Sequence, residues 1–113
     1  MAILYKNQGY DLTTTNLTTV LNINTSTVAI IKEISVTNDD NSAHKVDYFF
    51  TDVSTSTSYK FYHTNVPADS HDNAVHNALI LEEGDFLQFK ADTSNVISGQ
   101  ISYALLTREG TNG

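Results

Sequence analysis

The feature that most constrains this chain is its period. Apolar residues recur at every second position through much of it and at helical spacing in hardly any window. A chain patterned this way folds into strands, each with one face for a core and one for another surface. The run 28–37 carries the strongest signal. Counted straight through, it places Val28, Ile30, Ile34 and Val36 on one face, with Ala29, Ile31, Glu33 and Ser35 on the other. Asn38-Asp39-Asp40-Asn41 is a dense group of turn formers between this run and 45–51, so the two are expected to form an antiparallel hairpin.

A second hairpin is expected between 45–51 and 59–64, across the Ser/Thr cluster 54–58. Pro67 then opens a polar connection that is long enough to cross from one sheet to another. The pattern resumes at 78–81. Glu83-Gly84-Asp85 reads as a tight turn with Gly84 at positive φ, leading into 86–91 with Leu87, Phe89 and Ala91 on one face. The last strand, 96–107, lines one face with Ile97, Ile101, Tyr103 and Leu105. Before the strongest run, 18–23 alternates with Leu21 and Ile23 on one side. Residues 2–5 read as a short strand, 7–16 as a Thr- and Asn-rich loop or extended arm, and 109–113 as a loose tail.

About eight short strands with turn signals between them imply an all-β fold, an antiparallel β-sandwich with jelly-roll connectivity as one form of it. A closed small barrel is the alternative. The 113 residues fit a single domain, with residues 1–16 as an N-terminal arm. Composition agrees, since 15 Thr, 10 Ser and 11 Asn supply strand and turn formers while only 17% of residues are charged.

Charge and composition exclude several functions. Six basic residues against 13 acidic ones, a net of -7, oppose binding to a nucleic-acid backbone or an anionic membrane surface. The start lacks the pattern of a signal peptide and no long apolar run occurs, so synthesis in the cytoplasm is expected. Without cysteine there is no disulfide, thiolate zinc site or cysteine nucleophile. His44, His63, His71 and His76 are the side chains that titrate near neutral pH, and His71 and His76 share a segment with Asp69 and Asp72. Their spacing in a loop gives no zinc frame, and Asp39-Asp40 lacks the calcium-loop pattern. Glu82, Glu83 and Asp85 crowd one turn, where two carboxylates do not face each other across a cleft. No serine-elbow or phosphate-cradling glycine motif occurs. The expectation is a non-enzymatic protein with no cofactor and no metal.

Three segments carry a family resemblance. They are Thr27-Val28-Ala29-Ile30-Ile31-Lys32-Glu33-Ile34-Ser35-Val36-Thr37-Asn38, Leu81-Glu82-Glu83-Gly84-Asp85-Phe86-Leu87 and Ile101-Ser102-Tyr103-Ala104-Leu105. A core strand ending in an Asn turn, an acidic Gly-Asp corner and a long final strand resemble the small β-sandwich virion structural proteins of tailed bacteriophages. The resemblance implies a structural subunit in the virion: a capsid decoration or cement protein, or a neck or tail component. Its partners would be the major capsid protein or neck and tail subunits, together with further copies of itself.

Two groups of residues are the expected contacts. The arm holds few core-grade side chains, so Tyr5, Tyr10 and Leu12 are expected to pack on another chain. On the predicted strands 45–51 and 59–64 aromatics alternate in two sets. One set must then face outward, and Tyr48, Tyr59 and Tyr62 are the residues expected to meet a partner, or a sugar in a carbohydrate- or receptor-binding module.

Overall fold

Strands form wherever the alternating pattern runs, joined by the Asn, Asp, Ser and Thr clusters that favour turns. The computed structural model describes residues 2–75 and 77–107, and these contain no helix. Its strands are β1 (Ala2–Leu12), β2 (Thr18–Asn22), β3 (Thr27–Asn38), β4 (His44–Asp52), β5 (Thr57–Val66), β6 (His71–Asn73), β7 (Leu79–Leu81), β8 (Phe86–Ala91) and β9 (Ile97–Thr107). Residue His76 and the 109–113 tail lie outside the described residues.

Two antiparallel sheets face each other. The large sheet runs β1-β9-β3, with the short β6 and β7 both pairing with β3, and the small sheet runs β2-β8-β4-β5. Nine strands thus occupy eight positions. Every connection crosses between sheets except β4 to β5 and β6 to β7, which is the jelly-roll arrangement. The connection after Pro67 crosses as expected, and β4 and β5 form the expected hairpin. The hairpin expected across Asn38-Asp39-Asp40-Asn41 does not form. Those residues instead carry the chain from the large sheet to the small one. The reason is Asn38, buried at the end of β3, whose Nδ2 donates to the carbonyls of Ser42 (2.8 Å) and Val66 (3.1 Å).

The core lies between the sheets. Leu12, Ile31, Ile34, Val36, Val46, Tyr48, Val66, Leu81, Leu87, Phe89, Ile97 and Ile101 are its largest fully buried side chains. Each is worth roughly 1.5–3 kcal/mol of apolar burial for the aliphatic and Phe side chains. Two corrections to the sequence reading follow from it. First, residues 7–12 are not a loop: β1 pairs with β9 over its whole length, from Ala2 opposite Thr107 to Leu12 opposite Ile97. Tyr10 and Leu12 enter the core, and the Tyr10 hydroxyl donates to the Ser35 carbonyl at 2.6 Å. To reach β3 the ring passes over Gly99 of β9, where an added Cβ would sit 2.7 Å from the Tyr10 oxygen.

Second, β3 does not alternate straight through. Its register with β9 shifts between Ile31 and Glu33, inserting one extra residue. Ala29, Ile31, Ile34 and Val36 are therefore the buried set. Val28 and Ile30 point away from the core with Ser35 and Thr37. A similar shift in β5, between Tyr48 and Phe49 of its neighbour, turns both Phe61 and Tyr62 toward the core.

Candidate functional site

Four segments of the sequence break the alternating rule by running apolar for four residues without interruption: 2–5, 28–31, 78–81 and 103–106. A strand that is apolar on both faces is built to be covered on both. The fold sets these four runs side by side at one end of the large sheet. On the outer face, one row crosses the strands as Ile3, Leu106 and Val28, and the next as Tyr5, Ala104, Ile30 and Ile80. Ile3 is 55% exposed, Tyr5 85% and Ile80 52%, and no described residue packs over them as a third layer. The other end of the same face is polar, with rows Asp11, Ser98, Thr37 and His71, and Gly9, Gln100, Ser35 and Asn73.

The expected contact residues separate on this frame. Tyr5 stands in the apolar rows. Tyr10, Leu12 and Tyr48 are core residues and present no surface, a correction caused by the paired β1 and by the inward face of β4. Burial raises the pKa of the Tyr10 and Tyr48 hydroxyls well above the usual phenol value. The Tyr48 hydroxyl is buried with no hydrogen-bond partner among the described residues. Its ring packs edge-on against Phe89 at 4.9 Å and tilted against Tyr62 at 5.5 Å. Tyr62 is half-buried and donates to Asp72 Oδ2 at 3.2 Å, and the same oxygen accepts from Thr64 at 2.7 Å. Asp72 thereby ties β6 in the large sheet to β5 in the small one. Tyr59 is exposed and stacks on Phe50 at 5.4 Å. Of the three aromatics expected to face a partner or a sugar, Tyr59 alone is an exposed ring, and it lies on the other sheet from Tyr5.

The acidic corner has a structural role. Asp85 is buried, and its carboxylate accepts the backbone N–H of Glu82 (2.9 Å) and of Val53 (3.2 Å), which clamps the β7–β8 turn to the β4–β5 turn. Gly84 takes the positive φ of 85° that the sequence predicts. Asp52, Glu82 and Asp85 bring carboxylate oxygens within 4.8 Å of one another. Asp52 also accepts from the Ser54 N–H and hydroxyl. At the far end His44 sits between two carboxylates, with Nε2 2.7 Å from Asp40 and Nδ1 2.9 Å from Asp92. The hydrogen bond to Asp40 is the main cause that raises the imidazole pKa, and the same bond lowers that of Asp40.

No protein-family model and no curated protein matches the sequence. Solved structures match the fold. A chain from the acid-stable capsid of Helicobacter pylori bacteriophage KHP30 superposes with a TM-score of 0.56 at 8% identity, over 93% of this chain and 87% of that one. A chain from the disulfide-linked pili that form Bacillus endospore appendages gives 0.51 at 12% identity, over 91% and 85%. A chain from infectious bursal disease virus strain Gx gives 0.50 at 9% identity, covering 99% of this chain and 33% of that one. At such identities the likeness is one of fold. The fold is therefore one found in virus capsids and in a bacterial pilus. With no cysteine in this sequence, the disulfide linkage of the pilus has no counterpart here.

The apolar rows escaped a reading built on aromatic residues. The signal was present: four uninterrupted apolar runs in a chain that otherwise alternates. What the sequence does not reveal is the register that sets Ile3, Leu106 and Val28 in line.

Proposed function

We propose that this chain is a non-enzymatic structural subunit of a virion, seated on the outer capsid surface as a decoration or cement protein. One observation carries the reading: the two apolar rows at the end of the large sheet, on which Ile3, Tyr5 and Ile80 are exposed. Exposed contiguous apolar surface of this kind on a small domain marks a protein contact. A capsid-like fold in the matching structures supports the virion as the setting. An elongated body of 53 × 27 × 23 Å with apolar rows at one end of its large sheet suits a subunit docked by that end. The net charge of -7 suits a surface that keeps particles apart in solution.

The test is quantitative mass spectrometry of purified particles. Hundreds of copies per particle are expected for a decoration subunit. A few dozen would move the protein to the neck or tail, and its detection in infected-cell lysate alone would overturn the virion reading. Glycan-array binding that is lost on Tyr59→Ala would instead favour a receptor-binding module.

A further inference from the structure

β1 is the last strand of the large sheet. It has β9 on one side, and none of the described residues pairs with its other edge. Edge strands usually carry a guard, such as a proline, a bulge or several charges, because their free N–H and C=O groups template pairing with another chain. Between Ala2 and Gly9, β1 has no proline and no register shift, every residue is exposed, and Lys6 is the single charge.

We propose that β1 pairs antiparallel with β1 of a second copy, about a two-fold axis at Leu4, so that two large sheets become one. This deepens the assembly reading above, on which it rests for its purpose, by naming the edge and the register through which copies join. A two-fold axis perpendicular to the sheet keeps outer faces together, so each residue meets one of the same parity. Parity leaves few registers that join the apolar halves. An axis at Tyr5 would set Leu4 against the partner copy's Lys6 and Ile3 against its Asn7. An axis at Ile3 would shorten the pairing to the tip of the strand. An axis at Leu4 sets Ile3 opposite Tyr5 twice on the outer face and Leu4 opposite Leu4 on the inner face.

That register has a further property. The row Ile80, Ile30, Ala104 and Tyr5 of one copy continues without a break into Ile3, Leu106 and Val28 of the other, and its symmetry mate does the same. Register in a sheet is fixed by matched apolar faces, and here the match extends across seven positions. Stacking the patches face to face would leave the free N–H and C=O groups of β1 unpaired. Edge pairing adds backbone hydrogen bonds and leaves the fused patch free for a capsid. Residues 2–6 contain no acid, so the negative charge of each copy stays outside the contact.

The absence of cysteine makes the register directly testable on the purified full chain. Opposed residues of an antiparallel pair have Cα atoms about 4.5–5.5 Å apart, within disulfide reach. Leu4→Cys should therefore cross-link into a dimer under copper–phenanthroline. Gln8→Cys, on the same face, should not, since at about 3.3 Å per residue the two thiols would lie about 26 Å apart. Ile3→Lys/Tyr5→Lys places like charges opposite each other and should raise the dimer Kd about tenfold. Ile3→Glu/Tyr5→Lys places opposite charges there and should restore association. A wild-type chain that sediments as a monomer at 1 mM would overturn the proposal. So would cross-linking through Gln8→Cys rather than Leu4→Cys, or equal association of the two charge variants. A chain that dimerises through Leu4→Cys but is absent from particles keeps this edge and removes the virion reading. A chain present in particles that never cross-links does the reverse.

Discussion

The two ends of the large sheet are built from the same three strands and differ in what finishes them. At the end where β1 and β3 finish, polar side chains and turns hold the chain together. Asn38 holds the carbonyls of two segments, His44 spans Asp40 and Asp92, and the Asn95 N–H reaches the Leu12 carbonyl. At the end where they begin, Ile3, Tyr5 and Ile80 face outward on strands whose other face is also apolar. The shift between Ile31 and Glu33 separates the two regimes along β3. The lesson is that polar clamps close the turns at both ends, Asp85 at one and Asn38 and His44 at the other, while the outer face of the sheet is apolar only where β1 and β3 begin.

The largest effect should come from breaking the closed end at Gly99. A Cβ there would lie within van der Waals radii of the Ser35 carbonyl, a backbone atom that cannot yield cheaply. Gly99→Ala should destabilise by about 3 kcal/mol, read as a lowered urea midpoint. Asn38→Ala leaves buried carbonyls without their donor and should cost about 2 kcal/mol in the same assay.

His44 gives a pH signature of that end. Its folded pKa is raised, so its contribution is complete below the ordinary imidazole value of 6.5 and fades as pH rises through the folded value. The lowered Asp40 acts in the opposite sense, contributing above 3.8 and fading as pH falls through its depressed value. Thermal unfolding should therefore show a stability plateau between those limits. His44→Gln should flatten its alkaline shoulder, and an unchanged profile would show that the bridge adds nothing in solution.

Between the ends, Tyr48→Phe removes a buried hydroxyl without a partner and should leave stability unchanged or raise it by up to about 1 kcal/mol. At the open end the expected effect on folding is the smallest. Ile80→Thr should change the unfolding free energy, read by urea titration, by less than about 0.5 kcal/mol while weakening particle binding. A large stability loss there would mean that the apolar rows belong to the fold rather than to a contact.

Much of this was legible beforehand. The alternation in 86–91 and 96–107 places those strands almost residue for residue, and Gly84 announces its turn. The shift in β3 was not legible, because Val28, Ile30, Ile34 and Val36 keep perfect parity in the sequence. An inserted residue shows only when the neighbouring strand supplies the register. The 7–12 stretch misled for a related reason. Asn7, Gln8 and Gly9 look like loop residues, yet an edge strand with both faces exposed has no need of apolar ones. Tyr10, Leu12 and Tyr48 went astray because burial depends on which sheet lies opposite, a long-range fact. The apolar rows were written in four uninterrupted runs, and only their alignment was hidden.

The full-length pairing of β1 with β9 has a mechanical consequence. Ala2 and Thr107 sit opposite each other, so a force that separates those two ends loads the ladder one pair at a time and peels it like a zipper. A neighbour gripping the outer edge of β1 and pulling along it would instead load all the pairs from Ala2 to Leu12 together, in shear. The same strand is weak in one direction and strong in the other, and optical-tweezer pulling from the two geometries should give rupture forces that differ several-fold.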